Sequence, residues 1–229
     1  MSPRLSAVVS FIPKGARVAD VGTDHGFLPI YLAKRDLASY ILASDVNKAP
    51  LFSAIKNAEA CGVRDNIVFK HTNGLFGAKN ENLNAVVFAG MGGETIVSAL
   101  SAAPWAMKQG MTFIFQPQSK LEVLSDFLTS NEIYTEDARL ALDAGRIYLI
   151  FKASIRTGSA PSEAEIYAPR ALFFNRDMLL PDYLEELIKK LTRAIDGMEK
   201  AKLKPLNQRF KKALEGLQKM KEECHKWQR

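Results

Sequence analysis

Through residue 130, short apolar runs rich in Val, Ile, Phe and Ala alternate with segments of helical length. Such alternation predicts βαβ units and a parallel sheet. Strands are expected at Arg17–Val21, Tyr40–Asp45, Ile67–His71, Ala85–Ala89 and Thr112–Gln116. Helices are expected between them at Phe27–Arg35, Pro50–Cys61, Glu94–Leu100 and Lys120–Asn131. Pro50 suits a first helical turn and Gly62 a C-terminal stop. After Asn131 the pattern changes to Ile133–Leu142, the turn Asp143-Ala144-Gly145, and Arg146–Lys152, which predicts two strands joined as a hairpin. Five parallel strands closed by that hairpin make a doubly wound, seven-stranded α/β sheet.

Thr157–Pro161 combines Gly, Ser and Pro and is the expected linker, dividing the chain into 1–156 and 157–229. Beyond it the period becomes helical. Leu184, Leu187, Ile188, Leu191, Ile195 and Met198 recur at three- and four-residue steps until Pro205 interrupts, and Leu206, Phe210, Ala213, Leu217, Met220, Cys224 and Trp227 then resume the pattern. Two stripes hinged near Pro205 predict an antiparallel helical hairpin with a structural apolar seam.

Composition narrows the class. The 229 residues suffice for one ordinary domain with an appendage, and 47% apolar with 24% charged residues is the usage of a globular protein. No window holds eighteen uninterrupted apolar residues, and the first twenty carry Arg4, Lys14 and Arg17 without a hydrophobic signal core. A cytoplasmic, membrane-free protein is the expectation. Cys61 and Cys224 lie far apart with no CxxC or Cys/His cluster, so neither a disulfide framework nor a metal site is expected. Oligomeric state is open between a monomer and a weak homo-oligomer.

Charge becomes informative once it is divided. Residues 183–229 hold thirteen Lys/Arg against seven Asp/Glu, whereas residues 1–182 hold eighteen of each, so the formal +6 belongs to the last fifth of the chain. A basic appendage on a neutral body fits a polyanionic partner, and a solvated Lys-rich helix surface accounts for it equally well. Lys211 and Lys212, outside the apolar seam, are candidate contacts.

The densest chemical signal is Ala19-Asp20-Val21-Gly22-Thr23-Asp24-His25-Gly26-Phe27-Leu28-Pro29, a strand running into a turn and then a helix. Glycines there let a ligand approach the backbone at the carboxyl edge of the sheet. A dinucleotide fingerprint needs glycine where Asp24 stands, because pyrophosphate must lie against bare backbone. A carboxylate repels phosphate, but it suits S-adenosylmethionine, whose ammonium and sulfonium are cationic. Asp45, at the end of the second strand, is placed to accept hydrogen bonds from ribose hydroxyls, or else caps the next turn. Val46 follows it, and Asn73-Gly74-Leu75 is either an adenine contact or an ordinary turn. Gly90-Met91-Gly92-Gly93, after the fourth strand, offers close backbone approach where three glycines exceed the needs of a turn. Gln116-Pro117-Gln118 brings amides fit to read a base edge beside it.

Together these residues resemble the bacterial tRNA (adenine(22)-N1)-methyltransferases. The likeness covers nearly the whole chain, through Arg4-Leu5, Ile12-Pro13-Lys14-Gly15, Asp20-Val21-Gly22-Thr23-Asp24-His25, Leu28-Pro29, Gly90-Met91-Gly92-Gly93, Gln116-Pro117, Gly145-Arg146-Ile147-Tyr148 and the helical C-terminus. It implies a Rossmann-like class I methyltransferase domain, S-adenosylmethionine as cofactor, a C-terminal coiled-coil domain, and methylation of adenine N1 in the D-arm region of tRNA. It also implies Asp24 as the catalytic carboxylate. Asp20, Gly22, Thr23, His25, Asp45, Val46, Asn73, Gly74, Leu75, Gly90, Met91 and Gly92 then form the cofactor site. Arg4, Met91, Gln116, Pro117, Gln118, Lys211 and Lys212 face the substrate. Asp24 as a helix cap, a methyltransferase acting on another RNA, a small molecule or a protein, and a noncatalytic RNA-binding module remain the competing readings.

Overall fold

The computed structural model describes residues 1–200, 204–224 and 226, without the side chains of 200 and 204–207. An N-terminal helix, α1 (Pro3–Ser10), precedes the alternating region: β1 (Ala16–Val21), α2 (Phe27–Lys34), β2 (Ala38–Asp45), α3 (Lys48–Ala60), β3 (Val68–His71), β4 (Ala85–Gly92), α4 (Gly93–Ser101), β5 (Thr112–Ser119) and α5 (Leu121–Ser130). The hairpin β6 (Ile133–Asp143) and β7 (Arg146–Ile155) follows, then short helices α6 (Glu163–Tyr167) and α7 (Arg170–Phe174), and long helices α8 (Leu180–Lys200) and α9 (Lys204–Cys224). Every expected strand and helix is present.

The seven strands form one sheet in the order β3-β2-β1-β4-β5-β7-β6. β1 through β5 run parallel, and β7 pairs antiparallel with both β5 and β6. Crossover direction reverses between β1 and β4, so the loops leaving these two strands part and open a crevice at the carboxyl edge. Ala144 and Gly145, at φ 49° and 74°, close the β6–β7 hairpin in the positive-φ conformation that a two-residue turn requires.

Apolar alternation along the strands feeds two cores. Val18, Ile41, Ala43, Val87 and Ile114 pack beneath α1, α2 and α3 with Val8, Leu28, Leu32 and Ala58. On the other face Val21, Leu42, Val86, Phe88, Phe113 and Phe115 meet Ile96, Leu100, Leu124 and Leu128 from α4 and α5. Phe115 is the centre of an aromatic row, with ring centroids 5.7 Å from Phe88, 5.9 Å from Phe113 and 5.2 Å from Phe151.

This second core continues without a break into Ala164, Tyr167, Leu172, Leu184, Leu191, Ile195, Phe210, Ala213, Leu217 and Cys224. The seam read from the sequence is therefore the buried face of α8 and α9. Ion pairs Glu185–Lys221 and Glu199–Lys211 fix the two helices as antiparallel. Pro205 falls in the first turn of α9, where its missing N–H costs nothing. Residues 201–203 and 227 and the side chain of Leu206 lie outside the described residues. The stretch around the expected linker is more structured than its composition predicts: Gly158 lies against the Tyr134 ring, and Ser162 with Glu165 forms a capping box that starts α6. Among the described residues no helix is long and apolar enough to cross a membrane.

Two differences from the sequence reading bear on function. The opening helix α1 was not expected, although Ser2-Pro3 carries its start: Ser2 Oγ accepts from the Leu5 N–H, and Pro3 occupies the first helical position. Gly90, Met91 and Gly92 are not a loop but an irregular extension of β4, with Met91 and Gly92 opposite Pro117 and Ser119 of β5. Gly93 is then required by proximity, because a Cβ there would lie 2.2 Å from the Lys120 carbonyl oxygen. Since that obstacle is backbone, Gly93→Ala should lower unfolding stability by about 2–3 kcal/mol, measured by chemical denaturation.

Candidate active site

The turn after β1 is held by the end of β2. Gly22 and Thr23 both donate their N–H groups to the Ser44 carbonyl, at 2.8 and 3.0 Å, and Gly22 takes φ 74° to do so. The Asp24 N–H donates to Asp45 Oδ2 at 3.3 Å, and the Asn47 N–H donates to Asp45 Oδ1 at 2.8 Å. Asp45 thus does cap the following turn, and each of its oxygens retains a lone pair for a further donor. Ser44 Oγ donates to the Gly74 carbonyl at 3.0 Å, and His71 Nε2 lies 2.9 Å from the Val46 carbonyl, so β3 and its turn are tied to the same edge.

Three carboxylates surround this turn in different environments. Asp20 and Asp45 are buried, whereas the Asp24 side chain is 68% exposed. Burial raises the Asp20 carboxyl to about 6, and the neighbouring Asp45 charge adds to the rise. The Thr23 side chain pulls in the opposite direction, yet its buried Oγ1 meets no partner in hydrogen-bond geometry. A buried hydroxyl without a partner beside an acidic pair is a site prepared for a polar, cationic ligand.

Asp24 is not a helix cap: Gly26, at φ 74°, occupies that position for α2 and makes no side-chain cap bond. Asp24 itself takes φ 51°, an uncommon conformation for a residue with a side chain. His25 Nε2 lies 3.7 Å from its Oδ1, the His25 ring lies 5.6 Å from that of Phe27, and the His25 carbonyl accepts from Asn57 Nδ2 at 2.9 Å. The His25 backbone is thereby tied to α3, and its ring lies between Asp24 and Phe27.

The second edge is built from β4, β5 and α1. Met91 is the link, since a Cβ on Gly22 would lie 3.1 Å from its sulfur. Gln116 is buried, and its Oε1 accepts from Arg4 Nη1 at 3.1 Å. The Arg4 guanidinium also lies 5.3 Å from the centre of the Tyr148 ring. A Cβ on Gly90 would sit 3.5 Å from Gln118 Nε2 and 3.8 Å from Arg4 Nη1, so these side chains converge over bare backbone. Pro117 is buried within β5, and Gln118 is exposed beside it. Tyr148 was absent from the sequence-derived site, because only the antiparallel return of β7 brings it under Arg4.

Some expected contacts lie elsewhere. Leu75 is 1% exposed in the core and Gly74 packs against Ala99, so of that turn only Asn73 reaches the surface through its side chain. Packing against α4, rather than ligand approach, explains the glycine. Gly92 serves as the N-cap of α4. Lys211 is exposed but paired with Glu199 at 2.7 Å, whereas Lys212 is exposed with no ion pair among the described residues. Also among the described residues, no three His, Cys, Asp or Glu side chains gather as metal ligands would.

Strand order, the acidic turn after β1 and the glycine-lined end of β4 define a class I methyltransferase fold and its ligand crevice. Residues 1–151 match the family model described as a methyltransferase domain, and the chain belongs to that family. The tRNA (adenine(22)-N(1))-methyltransferase of Bacillus subtilis (strain 168) is 29% identical over 153 residues, which is 67% of this chain and 64%, just under two thirds, of the Bacillus enzyme. A Streptococcus pneumoniae structure assigned as a tRNA (m1A22) methyltransferase, in complex with S-adenosyl-L-methionine, is 25% identical with a TM-score of 0.81 over 96% of this chain and 99% of that one. The M. capricolum TrmK structure in complex with S-adenosyl-homocysteine is 26% identical with a TM-score of 0.75 over 98% of each chain.

The raised carboxyl gives a signed prediction. A group whose folded pKa, about 6, exceeds its ordinary 3.8 opposes folding increasingly as pH rises between those values. The ligand-free Asp20→Asn protein should therefore unfold at a higher temperature than the wild type at pH 7.5, and the gap should close at pH 4. A lower melting temperature for the variant at pH 7.5 would show that the carboxylate is not buried at a cost.

Proposed function

We propose that this protein is an S-adenosylmethionine-dependent tRNA methyltransferase acting on N1 of an adenine, at the position its Bacillus relative names. The observation that carries the reading is the acidic turn of Asp20, Asp24 and Asp45, joined through Met91 to a floor of guanidinium and amide groups over Gly90. The first half repels a diphosphate and suits a cation. The second half supplies hydrogen-bond donors and acceptors for a base edge.

The residues of the first edge fit the cofactor. Thr23 Oγ1 and Asp20 provide the polar partners for an ammonium, and Asp45 retains acceptor capacity for ribose hydroxyls. When bound, S-adenosylmethionine supplies an electrophilic methyl group on a sulfonium. Adenine N1 carries its own lone pair, so alignment matters more than deprotonation of the nucleophile. Arg4, Gln116 and Gln118 hold the base edge, with Gln116 oriented by Arg4. Methylation makes the ring cationic, and Asp24, solvent-facing and acceptor-rich, stabilises that charge or takes a proton from the exocyclic amine.

N1 lies on the Watson–Crick edge, so the target base must leave its stack to enter the crevice. A second grip on the RNA serves that step. Lys190, Arg193, Lys212 and Lys219 on α8 and α9 are exposed and without an ion pair among the described residues, so they are free for phosphate contacts.

Labelled cofactor and unmodified tRNA should yield 1-methyladenosine at one position, found by nucleoside mapping. Asp24→Asn should reduce the single-turnover rate by about 10²-fold or more with cofactor affinity nearly unchanged. Lys212→Glu should leave the cofactor affinity unchanged, weaken tRNA binding and flatten its salt dependence by roughly one unit of slope. Methyl transfer to protein or small molecules but never to tRNA would refute the reading.

A further inference from the structure

Arg209 of α9 is the most heavily engaged cation in the molecule among the described residues. Its Nη1 and Nη2 donate to both carboxylate oxygens of Asp126 on α5, at 2.6 and 2.7 Å, and its Nε donates to Glu163 on α6 at 2.6 Å. One guanidinium thus ties three helices with its rigid fork, which a lysine cannot reproduce. Packing follows the same line. The Tyr167 ring meets Phe210, the Tyr167 hydroxyl donates to Glu122 on α5 at 3.4 Å, and a Cβ on Gly216 would lie 2.5 Å from that of Ala164.

The helix at the far end of this clasp is the one that leaves the acceptor edge. Gln116, Gln118 and Ser119 end β5, Lys120 turns the chain at φ 55°, and α5 begins at Leu121. The start of α5 is in turn locked against the end of β4, with Gly93 beside the Lys120 carbonyl and a Cβ on Gly92 only 3.1 Å from Ser119 Oγ. A continuous, closely packed path therefore runs from the basic hairpin through Arg209, Asp126 and the first turn of α5 to the residues that hold the base edge.

We propose that the Arg209–Asp126–Glu163 clasp is a positioning device that sets the register of the α8–α9 hairpin against the acceptor edge, so that tRNA held on the hairpin presents its target base in line with the crevice. This inference rests on the tRNA-methyltransferase reading above. Arg209 is a positioning residue and touches no substrate. Its effect belongs on the rate of methyl transfer within the bound complex, because the exposed cations that hold phosphate are left in place when the clasp is opened.

The test is single-turnover methylation at saturating tRNA, with tRNA and S-adenosylmethionine dissociation constants measured separately, for the full-length wild type, Arg209→Ala, Arg209→Lys, Asp126→Asn and Glu163→Gln. The Arg209→Ala and Asp126→Asn proteins should bind both ligands within about threefold of wild type yet transfer methyl at least about tenfold more slowly, since a misplacement of about 1 Å can cost about 10²-fold. Arg209→Lys should recover part of the rate, and Glu163→Gln, which spares the link to α5, should fall less than Asp126→Asn. If Arg209→Ala fails to fold, Asp126→Asn decides, because that side chain is 59% exposed and can be changed at the surface. Wild-type rates at saturation for Asp126→Asn, or a loss confined to tRNA affinity, would overturn the proposal. A wild-type protein that never methylates tRNA would instead refute the functional reading on which it rests.

Discussion

The site depends on one arrangement of backbone hydrogen bonds. The carbonyl of Ser44 accepts from both Gly22 and Thr23, and the Asp45 carboxylate accepts from Asp24. With those three donors satisfied by the end of β2, the turn after β1 is held in place at the switch point of the sheet. The same bonds leave Asp20 and Thr23 facing inward with polar capacity unspent. An acidic group pushed up to about 6 and a hydroxyl without a partner are both unfavourable in the free protein, and a cationic ligand relieves both.

Close approach does the remaining positioning. Gly74 against Ala99 and Gly93 against Lys120 each bring two elements nearer than an added side chain would fit, and Gly22 lies close under the Met91 sulfur. The acceptor edge is thereby assembled from β4, β5 and the opening helix, with Arg4 crossing from α1 to Gln116 and Tyr148. Residues distant in sequence meet there because the strand order places β4 beside β5 and β5 beside β7.

The helical C-terminus is less separate than a linker and a change of period suggest. Leu184, Leu191, Phe210 and Leu217 extend the same apolar cluster that lies beneath α4 and α5. Arg209 adds directional contacts to that burial, and partly exposed ion pairs of this kind contribute little stability by themselves. α9 carries six Lys/Arg against three Asp/Glu, whereas α8 carries four against five, so within a hairpin that completes the core the positive excess lies on α9.

By itself the sequence determined the element order, the sheet, the seam of the helical hairpin, the location of the positive charge and the acidic character of the first turn. Those features depend on local periodicity and residue chemistry, which are read along the chain. Only the tertiary structure decided which neighbours each residue meets. It sent Leu75 into the core, continued Gly90–Gly92 as irregular strand, put Asp45 to work as a cap while leaving it acceptor capacity, and brought Tyr148 and Arg209 into roles that no spacing announces. Burial and long-range packing set those outcomes, because the environment that shifts Asp20 or orients Arg4 is supplied by residues tens of positions away.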